Sequence, residues 1–124
     1  MNVVDSSGWL EYFADTVNAG NFAKAIEDTK NLIVPSITLL EVFKRIVELR
    51  GEDIAMQNVA AMHQGRIVVL DAALALRAAA LGRRHRLPLA DSIVYATAIQ
   101  EKALLWTQDA DFQGLPEVRY FAKR

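Results

Sequence analysis

The sequence contains no cysteine, which excludes a disulfide scaffold, a thiolate zinc site and a cysteine nucleophile together. It also lacks internal repeats, low-complexity tracts and linkers, so a single domain over residues 1–124 is expected. No apolar run approaches the ~18 residues needed to span a bilayer. The opening MNVVDSSGWLEYF has no basic leader, and its apolar run is broken at Asp5. A cytoplasmic protein without membrane association is the expectation. Positive charge is not in excess either: 14 Lys+Arg stand against 15 Asp+Glu, a net charge of −1. That balance excludes a simple polycation that coats nucleic acid. It leaves open a protein that meets phosphates through metal ions instead of lysines.

What is present is a core. Hydrophobic residues make up 52% of the 124 and charged residues 23%, which excludes a disordered chain. Short apolar runs alternate with helical patterns. Strands are expected at Asn2–Val4, at Leu32–Val34 stopped by Pro35, at Ile67–Leu70 and at Ala103–Trp106, with a possible edge strand at Val118–Phe121. Helices are expected from near Gly8, from Asn18 to Thr29, from Thr38 to Arg50, and from Glu52 to His63 with Gly65 as a cap. Two more run from Ala72 to Arg84 and from Pro88 to about Lys102. Strands that are continuously apolar and separated by helices indicate a parallel sheet covered on both faces. The expected fold is α/β, a three-layer α/β/α sandwich with a mostly parallel sheet of four or five strands.

In such sheets ligands sit beyond the carboxyl ends of the strands, near the point where strand order reverses. The residues just after the strands are therefore informative. Strand one delivers Asp5, strand three Asp71, and strand four Thr107, Asp109 and Asp111. Glu41 stands one turn into the helix after strand two, and Asp91 in the first turn of the helix before strand four. Two like charges ~4 Å apart repel by about 4 kcal/mol near a protein surface. A hard divalent cation with oxygen ligands, Mg²⁺ or Mn²⁺, removes that cost.

Each carboxylate also has an ordinary explanation. Asp5, followed by Ser6 and Ser7, is a good helix N-cap, and Asp71 before Ala72–Arg84 is another. Glu41 stands with Lys44, Arg45 and Glu48 in a solvated helical stripe, with Arg45 at the favourable i+4 position. Asp109 and Asp111 fit a plain turn. Asp91 is the exception: its helix, DSIVYATAI, is apolar almost all round, and no lysine or arginine stands at i+3 or i+4 to pair with it.

The ordered set VDSSGWLEYF, PSITLLEVFKR, LPLADSIVYATAI and LLWTQDADF resembles the PIN-domain ribonucleases, and among them the VapC toxins of toxin–antitoxin pairs. The resemblance covers essentially the whole chain. It implies a metal-binding, catalytic quartet at Asp5, Glu41, Asp91 and Asp109, with Asp111, Ser6 and Thr107 in support. It implies an endoribonuclease dependent on Mg²⁺ (or Mn²⁺), cutting single-stranded or loop RNA to leave a 5′-phosphate and a 3′-hydroxyl. It further implies inhibition by a cognate VapB-type antitoxin, and a homodimer. Neither His63 nor His85 is well placed as a general base.

Lys44 and Arg45, one turn beyond Glu41, are placed to contact RNA phosphate. Arg84, within the basic cluster GRRHR, either does the same or stabilises a helix C-terminus. Trp9, Tyr12 and Phe13 read as core or dimer contacts. The alternative from another class is a receiver-type phosphoacceptor domain using Asp71, which would leave Glu41 and Asp91 unexplained.

Overall fold

The computed structural model describes residues 1–124. Five strands form one sheet: β1 (Asn2–Val4), β2 (Leu32–Pro35), β3 (Arg66–Val68), β4 (Leu104–Thr107) and β5 (Val118–Tyr120). Six α-helices accompany them: α1 (Ser6–Ala14), α2 (Ala19–Ile26), α3 (Ser36–Arg50), α4 (Glu52–Met62), α5 (Ala72–His85) and α6 (Leu89–Gln100). Short 3₁₀ turns cover Thr29–Asn31 and Ala110–Phe112. The strand order is β3-β2-β1-β4-β5, and every pairing is parallel. The expected sandwich is found, with a sheet that is parallel throughout.

Strand side chains alternate between two cores. Val4, Leu32, Val34 and Trp106 face the layer built by α1, α2, α3 and α4, where Trp9, Phe22, Val42, Ile46 and Met62 complete the packing. Val3, Ile33 and Leu105 face α6, against Val94, Tyr95, Ala98 and Phe112. α5 lies against α6 through Leu74, Ala78, Ile93 and Ala96. Burial on both faces is why these strands read as unbroken apolar runs. α6 is the most deeply set helix: Ser92 through Ala98 are all buried. Its buried serine and threonine hydroxyls return to their own helix, Ser92 Oγ donating to Leu89 O at 2.6 Å and Thr97 Oγ1 to Ile93 O at 2.8 Å, whereas the Tyr95 hydroxyl donates outward to Pro116 O at 2.9 Å.

Element ends shift by one to three residues; the second helix stops at Ile26, and Thr29 belongs to a separate 3₁₀ turn. α1 begins at Ser6, two residues ahead of Gly8, because Gly8 N and Trp9 N both donate to the Asp5 carbonyl. Pro35 closes β2 from within the strand. Gly51, at φ +92°, breaks α3 from α4 as expected. The C-cap of α4 is His63, not Gly65, although the Gly65 N–H still donates to the Met62 carbonyl at 3.1 Å. A Cβ on Gly65 would stand 2.9 Å from Leu32 and Val34 side-chain carbons, so glycine is required by close approach to β2.

The chain runs outward from β1 through β2 to β3, then returns across β1 to β4. The order reverses between β1 and β4, whose register pairs Val4 with Trp106. The next residues on these two strands, Asp5 and Thr107, therefore leave the sheet side by side.

Candidate metal centre

Asp5 is 2% exposed. It occupies the N-cap position of α1, yet its side chain makes no capping bond. Instead Asp5 Oδ2 accepts from Ser7 Oγ at 2.8 Å and from Thr107 Oγ1 at 3.0 Å. Burial pushes its carboxyl above the usual carboxylate range, the two hydroxyls oppose that push, and the Asp109 charge adds to it.

Thr107, fully buried, serves two neighbours at once. Its hydroxyl donates to Asp5 and accepts from Asp109 N at 2.9 Å. The Asp109 side chain then turns onto the next loop, where Oδ1 accepts from Asp111 N at 2.9 Å and starts the 3₁₀ turn. Asp91 comes from a different element, the first turn of α6. Single carboxylate oxygens of Asp91, Asp109 and Asp111 lie within 4.8 Å of one another. Asp91 is pushed up to about 8, first by burial and then by the charges of Asp109 and Asp5.

Glu41 is half-buried one turn into α3. Its carboxyl is raised by burial and by the charges of Asp5 and Asp109, with the Ser6 hydroxyl pulling the other way. The solvated-stripe explanation expected a Glu41–Arg45 pair, but Arg45 pairs with Glu48 at 3.4 Å. The only other ion pair in the protein joins Arg66 to Glu101. None of the converging carboxylates has a cationic partner, so the like-charge cost is uncompensated from within the chain. An all-oxygen donor set, partly buried and short of positive charge, fits a hard divalent cation.

Asp71 lies elsewhere. It follows β3, an edge strand, and its Oδ1 accepts from Leu74 N at 2.8 Å as the N-cap of α5. The receiver-type alternative is therefore overturned: its acceptor is a helix cap remote from the β1–β4 switch, and the acidic residues it left unexplained are the ones that converge.

Among the basic residues, Lys44 and Arg45 are exposed beside Glu41. With Ile37, Leu40, Glu48 and Ala90 they line a groove between α3 and the start of α6. Arg84 is exposed in the last turn of α5, where it adds to Arg83 and His85. Trp9 is 1% exposed and stacks on Phe13 at 5.6 Å, which makes it core. Asp111, expected in support, lies within carboxylate contact of Asp91 and Asp109. One feature escaped sequence reasoning: Gln108 is buried in a hydrogen-bonded chain with Asn18 and Glu11. The 3₁₀ turn that brings Asp111 round follows TQDADF. The Gln108 contacts span 90 and 97 residues and left no local signal.

The α/β sandwich thus gathers, where its strand order reverses at the end of a parallel sheet, a cluster of carboxylates without cationic partners and with the spacing of metal ligands. The chain belongs to the PIN domain family, which matches residues 3–118. No curated protein matches it. Several solved structures are similar. A toxin–antitoxin complex from Klebsiella pneumoniae has a chain with 22% identity and a TM-score of 0.83, with 99% of this chain and 100% of that one covered. VapC20 of Mycobacterium tuberculosis, a toxin that cleaves the sarcin–ricin loop, shows 19% identity and a TM-score of 0.77 over 96% of this chain and 99% of that one. DNA-bound VapBC from Salmonella typhimurium shows 14% identity and 0.73, over 98% and 96%. At these identities the likeness is one of fold. No helix is long and apolar enough to cross a membrane.

Proposed function

We propose that this chain is a single-domain, Mg²⁺- or Mn²⁺-dependent endoribonuclease of the PIN family, acting as the toxin of a toxin–antitoxin pair on single-stranded or loop RNA. The observation that carries the reading is the convergence of Asp5, Asp91, Asp109, Asp111 and Glu41 without a cation of the protein's own.

In this reading Asp91 and Asp109 hold the ion, with Asp5 behind them and Asp111 beside them. Glu41 holds the same ion from the α3 side or a second one. A bound divalent ion supplies two things here, activation of water as nucleophile and neutralisation of charge on the scissile phosphate. The chain's own residues supply placement. Thr107 keeps Asp5 and Asp109 in fixed relation, Ser7 anchors Asp5, and Ser6 tempers Glu41. Asp91 rides on the most buried helix of the protein, so it meets the ion without prior reorganisation.

The groove beside Glu41 offers Lys44 and Arg45 to a phosphate backbone approaching the acidic end, and Arg84 adds charge at the α5–α6 turn. The antitoxin is expected to cover this end, because a cation from a partner offsets the same charges as a metal ion. Toxin–antitoxin complexes among the structural relatives support that expectation. A homodimer in the cytoplasm completes the proposal.

The test is cleavage of generic single-stranded RNA by purified protein with EDTA, Mg²⁺ or Mn²⁺, with the product ends mapped. Cleavage that needs the metal, leaves 5′-phosphates and disappears in Asp91→Asn is the expected result. Metal-independent cleavage, or none with either ion, overturns the reading.

A further inference from the structure

Gln108 lies in the chain between the hydroxyl that binds Asp5 and the carboxylate of Asp109, yet its side chain leaves the site altogether. It is 5% exposed. Its Nε2 donates to Glu11 Oε1 at 3.0 Å, and its Oε1 accepts from Asn18 Nδ2 at 2.8 Å. Asn18, itself 2% exposed, also donates to Ala122 O at 3.0 Å and accepts from Asn21 at 3.3 Å. Glu11 takes a further hydrogen bond from Thr16. The main chain of Gln108 is tied as well, its N–H donating to Ser7 Oγ at 3.5 Å while that hydroxyl donates to Asp5.

A buried primary amide is costly unless both its ends are bonded, so the Gln108 side chain has one low-energy position. The peptide carrying Asp109 is thus anchored from two directions. Thr107 ties it to Asp5, and Gln108 ties it to the end of α1 and the approach to α2.

We propose that Gln108, clamped between Glu11 and Asn18, is a positioning residue that sets Asp109 against Asp5 and so determines how tightly the site holds its divalent cation. The proposal rests on the acidic cluster being a metal centre. It predicts that breaking the clamp weakens the metal without removing a ligand.

The experiment is calorimetric titration of the folded, full-length protein with Mn²⁺ alone, well below its melting temperature, alongside melting curves in EDTA. Gln108→Met, which keeps side-chain length and loses both polar ends, is expected to bind Mn²⁺ at least about tenfold more weakly, the scale of loss for groups that orient metal ligands. Gln108→Glu sets a carboxylate against Glu11 and is expected to weaken Mn²⁺ as well. The added negative charge alone would tighten a cation, so the sign of that change separates displaced ligands from simple electrostatics. The swap Glu11→Gln with Gln108→Glu restores donor to acceptor at unchanged net charge, and is expected to return Mn²⁺ affinity to within about threefold of wild type.

Affinity unchanged in Gln108→Met, with only the EDTA melting temperature lowered, would reduce the clamp to a folding brace and overturn the proposal. So would tighter binding by Gln108→Glu, which decides the matter if Gln108→Met does not fold. Failure of the metal-centre reading is distinct: wild type would then bind no Mn²⁺, or Asp91→Asn would bind it as well as wild type.

Discussion

Two aspartates occupy the same station in this fold and are used in opposite ways. Asp5 follows β1 and Asp71 follows β3, each at the N-cap of the next helix. Asp71 spends its side chain on the helix, accepting from Leu74 N. Asp5 leaves its helix uncapped and is bonded by hydroxyls from two other segments. Strand order accounts for the difference. β3 is an edge, with no neighbouring strand exit beyond it, whereas β1 lies beside β4 at the reversal and meets whatever leaves that strand. Residue type and local position are identical; only the neighbours differ.

The largest effect expected from breaking this contrast is on catalysis. Asp5→Asn or Asp91→Asn should lower RNA cleavage by on the order of a hundredfold or more while leaving the circular dichroism spectrum unchanged, since each removes a charge and keeps shape. Asp71→Ala should leave the rate per folded molecule intact. A near-wild-type rate in either site variant would remove the distinction between the two aspartates.

Next in size is the response to metal. Mn²⁺ at ~100 times its dissociation constant stabilises a protein that binds it only when folded by about 2.7 kcal/mol. Wild type and Asp71→Ala should both show that rise in melting temperature, and Asp91→Asn much less of it. An equal rise in all three would place the metal away from Asp91.

Smaller, and opposite in sign between the two regions, are the effects on the metal-free protein. Asp71→Ala loses a cap and should cost about 1 kcal/mol. Asp91→Asn relieves like-charge repulsion and should gain about 1 kcal/mol in EDTA, against the usual direction of substitutions. Paired melts in EDTA check both signs. Loss of stability in Asp91→Asn would show that its charge is not opposed by its neighbours.

The smallest effect is a pH dependence, muted because Asp91 is only half-buried and water screens it. Its carboxyl is raised to about 8, so protonation favours the folded state. That contribution is fully present below the unfolded carboxylate value near 4 and is lost as pH rises through about 8. The melting temperature in EDTA should therefore fall from about pH 5 to about pH 9, and fall less in Asp91→Asn. A rise over that range in wild type would contradict the assignment.

Much of this was legible in the chain before any coordinates. Asp5, Asp109 and Thr107 follow runs too apolar to be anything but interior strands, and parallel topology gathers strand exits at one end. Asp91 stood out because its helix offers it no partner. Glu41 was ambiguous, since its i+4 arginine supplies an ordinary explanation that only the Arg45–Glu48 pairing removes. Asp111 was legible as a supporting carboxylate, although the path of its turn decides how near it comes to Asp91. The Gln108 clamp was illegible for a different reason: hydrogen bonds between residues 90 or more apart leave no periodicity to read.

α5 meets α6 where Gly82 faces Ser92, and a Cβ on that glycine would stand 2.7 Å from the Ser92 Cβ. In an ordinary helix interior, glycine to alanine gains up to about 1 kcal/mol. Here the added methyl has nowhere to go, because the atom it strikes is fixed to the backbone of the residue following Asp91. The collision is relieved either by α5 moving away from α6 or by a shift of the first turn of α6, which carries the Asp91 carboxylate with it. Position 82 is thus closed to the mildest of substitutions, and the tolerance of an acidic site to change is set in part by a residue that carries no side chain.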